Sequence, residues 1–313
     1  MIKDMRWILK AAIIYNPTSG KQFNTDKVRK QFLNILTEAK YEANFYVTEY
    51  HLHAKKIIKE LSDDTDLVLV VGGDGTLNEV ISGNCEREKQ LLISPIPVGT
   101  TNDVCNMLGY GKNILTNLKN ALNGEVKNLD IYAINGHPFI YVAGFGKFTN
   151  VPYDTKRDKK KKWGYLAYVM EGVRSFFNKD ALYELTYEVE SGKYTGLYSF
   201  ISVSNASRIA GFNNVFKDVK LNDGKIEVLL SNIVKKKDLI RSLYFLASND
   251  ISNVPGFYFH RTSYLRITFK KIPKNSWCID GEKLEDANLT YEIKKLTTIK
   301  VLVTKNADPN LFV

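Results

Sequence analysis

Leu67-Val68-Leu69-Val70-Val71 runs straight into Gly72-Gly73-Asp74-Gly75-Thr76, and the reading of this stretch decides the fold. An unbroken apolar run of this length, closed by glycines, is a strand covered on both faces. A helix is expected from Thr76 through Ile81. Three glycines let main-chain N–H groups come close to an anion, and the first turn of a helix adds unpaired N–H groups and the positive end of its dipole. A carboxylate among such amides is costly unless a cation joins it, so Asp74 reads as a Mg²⁺ contact. The plain alternative is a strand–helix turn capped by an aspartate.

Outward from this stretch, the first third of the chain alternates strand and helix. Trp7–Tyr15 reads as a strand, Thr25–Ala39 as a helix with Val28, Phe32, Ile35 and Leu36 on one face, Asn44–Val47 as a strand, and Ala54, Ile57, Ile58 and Leu61 as a helix face. Leu91–Ile96 is a further strand. Such alternation predicts a parallel sheet with ligands beyond the carboxyl ends of its strands. The loops at 16–20, 72–76 and 99–103 all follow strands and would meet there. From about residue 131 the pattern turns to β, with helical intrusions at 162–177 and 237–247. The expected architecture is α/β. A parallel-sheet nucleotide-binding domain (1–131, with 305–313 returning to it) is joined to a mostly antiparallel β-sandwich substrate domain (132–304), with a cleft between them.

The formal net charge of +10 over 313 residues favours polyanionic partners. Cys85, Cys105 and Cys278 are odd in number and widely spaced, which suits reduced thiols in a cytoplasm rather than a disulfide frame or a zinc site. No run of 18 apolar residues occurs, so any membrane contact is expected to be peripheral. The signatures GxxxxGK[ST], GxGxxG after the first strand and GxSxG are absent, which speaks against a P-loop enzyme, a dinucleotide hydride-transfer fold and a nucleophile-elbow hydrolase.

Asn16-Pro17-Thr18-Ser19-Gly20, Gly72–Thr76, Gly99-Thr100-Thr101-Asn102-Asp103, Leu221-Asn222-Asp223-Gly224 and Ile279-Asp280-Gly281-Glu282 resemble, in order and spacing, the diacylglycerol kinase catalytic domain. The segment Lys161-Lys162-Trp163-Gly164-Tyr165-Leu166-Ala167-Tyr168 adds to the likeness, which is greatest to the soluble bacterial lipid kinases of that family. Where the family pattern has a Gly-Gly pair, this chain has Ala210-Gly211. The resemblance implies an ATP- and Mg²⁺-dependent kinase that phosphorylates a lipid hydroxyl, most simply diacylglycerol to phosphatidic acid. Asn16, Pro17, Thr18, Ser19 and Gly20, with Gly72, Gly73, Asp74, Gly75 and Thr76, would cradle the ATP phosphates. Thr48, Asn78, Glu79 and Thr100 would line the nucleotide. Asp74 and Asp103 would share the catalytic Mg²⁺ network, with Asp130 either a third member or a simple boundary carboxylate.

The resemblance further implies a structural Mg²⁺ on Asp223 and the main-chain carbonyls of Lys220 and Lys225, although Asn-Asp-Gly is equally a good tight turn. Asp280 is the first choice as general base, with Glu282 assisting or accepting the proton itself. Asp74 and Asp280 are expected to face one cleft. Six cations within residues 156–162, beside Trp163, Tyr165 and Tyr168, suit transient adsorption at an anionic inner membrane face, or are simply a solvated surface. No nucleic-acid partner is expected, and a homodimer through edge strands of the second domain is allowed by the sequence, not required by it. Two rival readings are a NAD kinase, whose downstream Thr-Pro-Thr-Gly-Ser-Thr-Ala-Tyr type of segment is missing, and a basic nucleotide- or RNA-binding protein without turnover.

Overall fold

Strands without a polar face need cover on both sides, and β1 (Leu9–Tyr15) and β3 (Leu67–Gly72) obtain it. The computed structural model describes residues 8–19, 23, 25–99, 102–146, 182–209, 212–213, 216, 218–233 and 255–313. The helical intrusions expected at 162–177 and 237–247, and the basic run at 156–162, lie outside the described residues.

The chain divides into two compact units. One takes in the residues up to Leu129 together with Thr297–Phe312; the other is Asp130–Leu296 with Val313. In chain order the first unit contains β1, α1 (Asp26–Glu38), β2 (Tyr41–Val47), α2 (His53–Glu60), β3, α3 (Asp74–Cys85), β4 (Ile93–Pro97), α4 (Asp103–Met107), α5 (Ile114–Leu122) and the start of β5 (Glu125–Ile134). Its strands lie in the order β2-β1-β3-β4, all parallel.

Register does the rest: Tyr15 sits between Val47 and Val71, and Gly72 lies opposite Pro97. The carboxyl ends of all four strands therefore fall on one edge. Thr25 caps α1 by accepting the Val28 N–H, and the helix buries Phe32 and Leu36.

The second unit is antiparallel. It holds β6 (His137–Phe139), β7 (Val142–Gly146), β8 (Tyr183–Val189), β9 (Gly192–Tyr198), β10 (Phe200–Ser204), the short pair β11 (Arg208–Ile209) and β12 (Phe212–Asn213), β13 (Ile226–Ser231), β14 (Phe257–Thr262), β15 (Tyr264–Phe269), β16 (Cys278–Ile279), β17 (Glu282–Lys283) and the first half of β18 (Thr290–Val303). One sheet runs β14-β13-β10-β7-β16-β17; β18, β15, β8 and β9 form the other. Their inner faces share a core that includes Phe145, Tyr187, Val203, Val228, Ile267, Trp277 and Tyr291. This is the expected fold class: a parallel α/β unit followed by an antiparallel sandwich. Among the described residues no helix is long and apolar enough to cross a membrane.

Arg87, just past α3, ties the helices of the first unit together. Its Nη1 donates to the carbonyls of Ile58 (2.8 Å), Lys59 (3.1 Å) and Leu61 (2.8 Å) at the end of α2, its Nε to Lys89 O at 3.0 Å, and its Nη2 pairs with Asp63. The side chain is 6% exposed. Helix-end carbonyls without intrahelical partners are being satisfied by a buried charge. Arg87→Ala is expected to destabilise the protein by about 2 kcal/mol or more, read as a lower denaturant midpoint with an unchanged slope.

Candidate active site

Asn16 is the first residue beyond β1, and its side chain closes the loop it begins. Its main-chain N–H donates to Val71 O at 3.0 Å. Its Oδ1 accepts from Thr18 N (3.0 Å) and Thr18 Oγ1 (2.8 Å), while its Nδ2 donates to Thr76 Oγ1 at 3.0 Å. Ser19 N donates to Asn16 O at 3.1 Å. The 16–19 loop is thus folded on one asparagine and tied to the first turn of α3. Gly20 and Thr100 lie outside the described residues. Thr48, after β2, is buried and donates its N–H to Tyr15 O at 2.9 Å, which keeps it at the same edge.

The glycines of this edge answer to close approaches. A Cβ on Gly72 would lie 2.6 Å from Thr76 Cβ. A Cβ on Gly99 would lie 2.9 Å from Gly73 Cα and 2.7 Å from Asn102 Oδ1, so the two loops touch backbone to backbone. Asn102 adopts a left-handed conformation (φ 49°), and its Nδ2 donates to Gly99 O at 2.9 Å. That turn delivers Asp103 fully buried at the start of α4. Asp74 opens α3, two residues earlier than the pattern predicts. The Cys105 thiol is pushed well above its usual range, first by burial and then by the charges of Asp74 and Asp103.

On α3, Asn78 Oδ1 accepts from Ser82 Oγ at 3.4 Å. Glu79 serves the neighbouring helix: its Oε2 accepts the Ala54 N–H at 3.1 Å, and its Oε1 faces His51 Nδ1 at 3.4 Å. Since Leu52 gives α2 no side-chain cap, Glu79 supplies one from outside.

In the second unit, Asp280 and Gly281 form the tight turn between β16 and β17, with φ of 47° and 91°. Asp280 is 6% exposed. Its Oδ2 accepts Ile140 N at 2.7 Å, and its Oδ1 accepts Tyr141 N at 3.1 Å and Val142 N at 3.0 Å. Its own N–H returns to Val142 O at 2.8 Å. A carboxylate bonded to three amides is a clamp that stitches the hairpin onto the start of β7, with three of its about four acceptor positions taken. Glu282, two residues on, is exposed.

The 220–225 loop has its own network. Asp130 is 1% exposed; its Oδ2 accepts Gly224 N at 2.8 Å and its Oδ1 meets Lys295 Nζ at 2.6 Å. Its main chain bonds Leu221 O and Asn205 Nδ2, each at 2.9 Å. Asp223 pairs with Arg261. Glu227 is buried in β13, and burial pushes its carboxyl up to about 8. Arg261, Lys295 and Glu227 escape sequence reasoning, although a glutamate inside the apolar run Ile226–Leu230 is a signal that something must meet it. Among the described residues no group of three or more His, Cys, Asp or Glu is arranged to hold a metal ion by itself.

The family model for the diacylglycerol kinase catalytic domain matches residues 10–134. A diacylglycerol kinase of Bacillus subtilis (strain 168) is 33% identical over 275 residues, covering 87% of this chain and 89% of that protein. One from Staphylococcus carnosus (strain TM300) is 30% identical over 278 residues, covering 87% and 88%. Among solved structures, a diacylglycerol kinase from Bacillus anthracis str. Sterne superposes with a TM-score of 0.76 at 21% identity, covering 96% of this chain and 98% of that one. Yeast NADH kinase complexed with NADH gives 0.51 at 11%, covering 96% and 86%. At these identities the two structures establish the fold.

Asp280→Asn puts an amide N–H₂ against main-chain N–H donors. It is expected to cost about 1–3 kcal/mol of stability, whereas Glu282→Gln at an exposed position stays within about 0.5 kcal/mol of wild type. Thermal and denaturant unfolding of the two variants side by side checks this.

Proposed function

The chain belongs to the diacylglycerol kinase family and is a kinase with a hydroxyl acceptor, and on that premise we propose that it moves the γ-phosphoryl group of ATP to the free hydroxyl of diacylglycerol. The observation that supports this most is at the parallel-sheet edge. The loops that deliver Asp74 and Asp103, 29 positions apart in the chain, touch backbone to backbone at Gly73 and Gly99, and each aspartate opens the helix that follows.

In this reading the amides of residues 73–76 hold phosphate oxygens, helped by the folded 16–19 loop and by Thr48. Asp74 and Asp103 are hard oxygen donors carried on two loops whose backbones touch, which suits Mg²⁺. When bound, Mg²⁺ neutralises charge on the phosphate oxygens. Glu282 takes the role of proton acceptor: it is exposed and close in sequence to the Asp280 clamp, which fixes the hairpin bearing it. An alcohol is far less acidic than a carboxylic acid, so Glu282 orients the hydroxyl and accepts its proton only as the phosphorus–oxygen bond forms. The acceptor is met at an anionic membrane face, in keeping with the net charge of +10. The likeness to NADH kinase is one of fold, and the Thr-Pro-Thr-Gly-Ser-Thr-Ala-Tyr type of segment of NAD kinases is missing from the sequence.

A radiolabelled-ATP assay over a lipid panel is expected to give phosphatidic acid from diacylglycerol. Glu282→Gln should lower kcat at least about 100-fold with little change in the KM for ATP, and Asp74→Ala should abolish turnover. Full activity in Glu282→Gln would remove it from the mechanism, and NADP formed from NAD and ATP would replace the lipid reading.

A further inference from the structure

The loop at 220–225 is where the family resemblance puts a structural Mg²⁺. The side chains around it are arranged for another cation. Asp223 Oδ1 accepts the Lys225 N–H at 3.0 Å, and its Oδ2 is held by Nη2 of Arg261. The same guanidinium points its Nε at Glu227 Oε1, 3.7 Å away, so one arginine faces two carboxylates. Strand pairing delivers it: Arg261 on β14 lies directly opposite Glu227 on β13. On the far side of the loop Lys295 meets Asp130, whose other oxygen holds the Gly224 N–H.

Burial makes these pairings consequential. Glu227 and Asp130 are each 1% exposed and the Asp223 side chain 17%, so water replaces a lost counter-charge poorly. Mg²⁺ demands near-octahedral oxygen ligands and holds its own waters. A guanidinium donating to Asp223 Oδ2 takes up one acceptor position of that carboxylate and its charge repels a second cation. The donor set at 220–225 therefore does not fit a divalent ion while Arg261 is in place.

We infer that Arg261 is the resident counter-cation of the 220–225 loop and that it stands where a divalent metal would otherwise be needed, so the loop is set without metal. The inference holds whichever lipid is phosphorylated, and it concerns a different place from Asp74 and Asp103.

Thermal unfolding of the full chain without nucleotide, in EDTA and in millimolar MgCl₂, tests it. Whatever part of the wild-type response to Mg²⁺ is removed by Asp223→Asn is expected to be nil. Arg261→Gln should melt several degrees lower than wild type in EDTA and recover much of that loss in MgCl₂, while Arg261→Lys, which keeps the charge, should stay indifferent to the metal. The inference is overturned if Mg²⁺ raises the wild-type melting temperature and Asp223→Asn abolishes the rise, or if Arg261→Gln melts like wild type in EDTA. Should Arg261→Gln not fold, the comparison of wild type with Asp223→Asn decides alone.

Discussion

Parallel pairing of β1, β2, β3 and β4 in one register is the constraint on which the rest of the first unit depends. Because Tyr15, Val47, Gly72 and Pro97 end their strands within one residue of a common register, the loops that follow must share one edge. The site is a consequence of that register: Asn16 can reach Thr76, Thr48 can reach Tyr15, and Gly99 can lie against Gly73. Shifting one strand by a single residue would turn its buried face outward and separate these loops at once. The apolar strands thus specify, through burial alone, where polar chemistry is done.

In the second unit the ordering device is the pairing of buried charge. Asp280 is held by three amides, Asp130 by a lysine and an amide, and Asp223 by an arginine and an amide. Each carboxylate would be expensive without its partners, so each fixes the loop that supplies them. That is how an antiparallel sandwich of short strands presents a well-defined hairpin at 280–282. It also divides labour between two nearby acids. Asp280 shapes the turn through the main-chain amides it binds, while Glu282 stands at the surface of the same hairpin.

Much of the fold was legible because burial writes itself into residue type. Leu67–Val71 can only be a strand covered on both faces, and Val28, Phe32, Ile35 and Leu36 can only be a helix face. Ile114–Leu122 was not legible: Asn113, Asn117, Asn120 and Asn123 read as loop formers, whereas Asn113 caps the helix by accepting Thr116 N and Asn117 bonds both main-chain groups of Gly111. The apolar runs at 289–293 and 299–303 read as two strands, yet one strand of 14 residues, Thr290–Val303, carries the intervening lysines on exposed positions. β9 was hidden by its two glycines and its position at the sheet edge. The glycine-turn motifs announced themselves; the partners of Asp280 could not, because main-chain N–H donors leave no mark in a sequence.

The central claim is that close backbone contact between the two glycine loops forms the phosphate cradle. Gly99→Ala tests it most directly, since the added methyl would meet Asn102 Oδ1 at 2.7 Å and the Gly73 backbone at 2.9 Å. Calorimetric titration of MgATP into this variant should show affinity lowered about tenfold or more, a loss of roughly 1.4 kcal/mol, with the far-UV circular dichroism of wild type retained. MgATP bound as tightly by Gly99→Ala as by wild type would contradict the account.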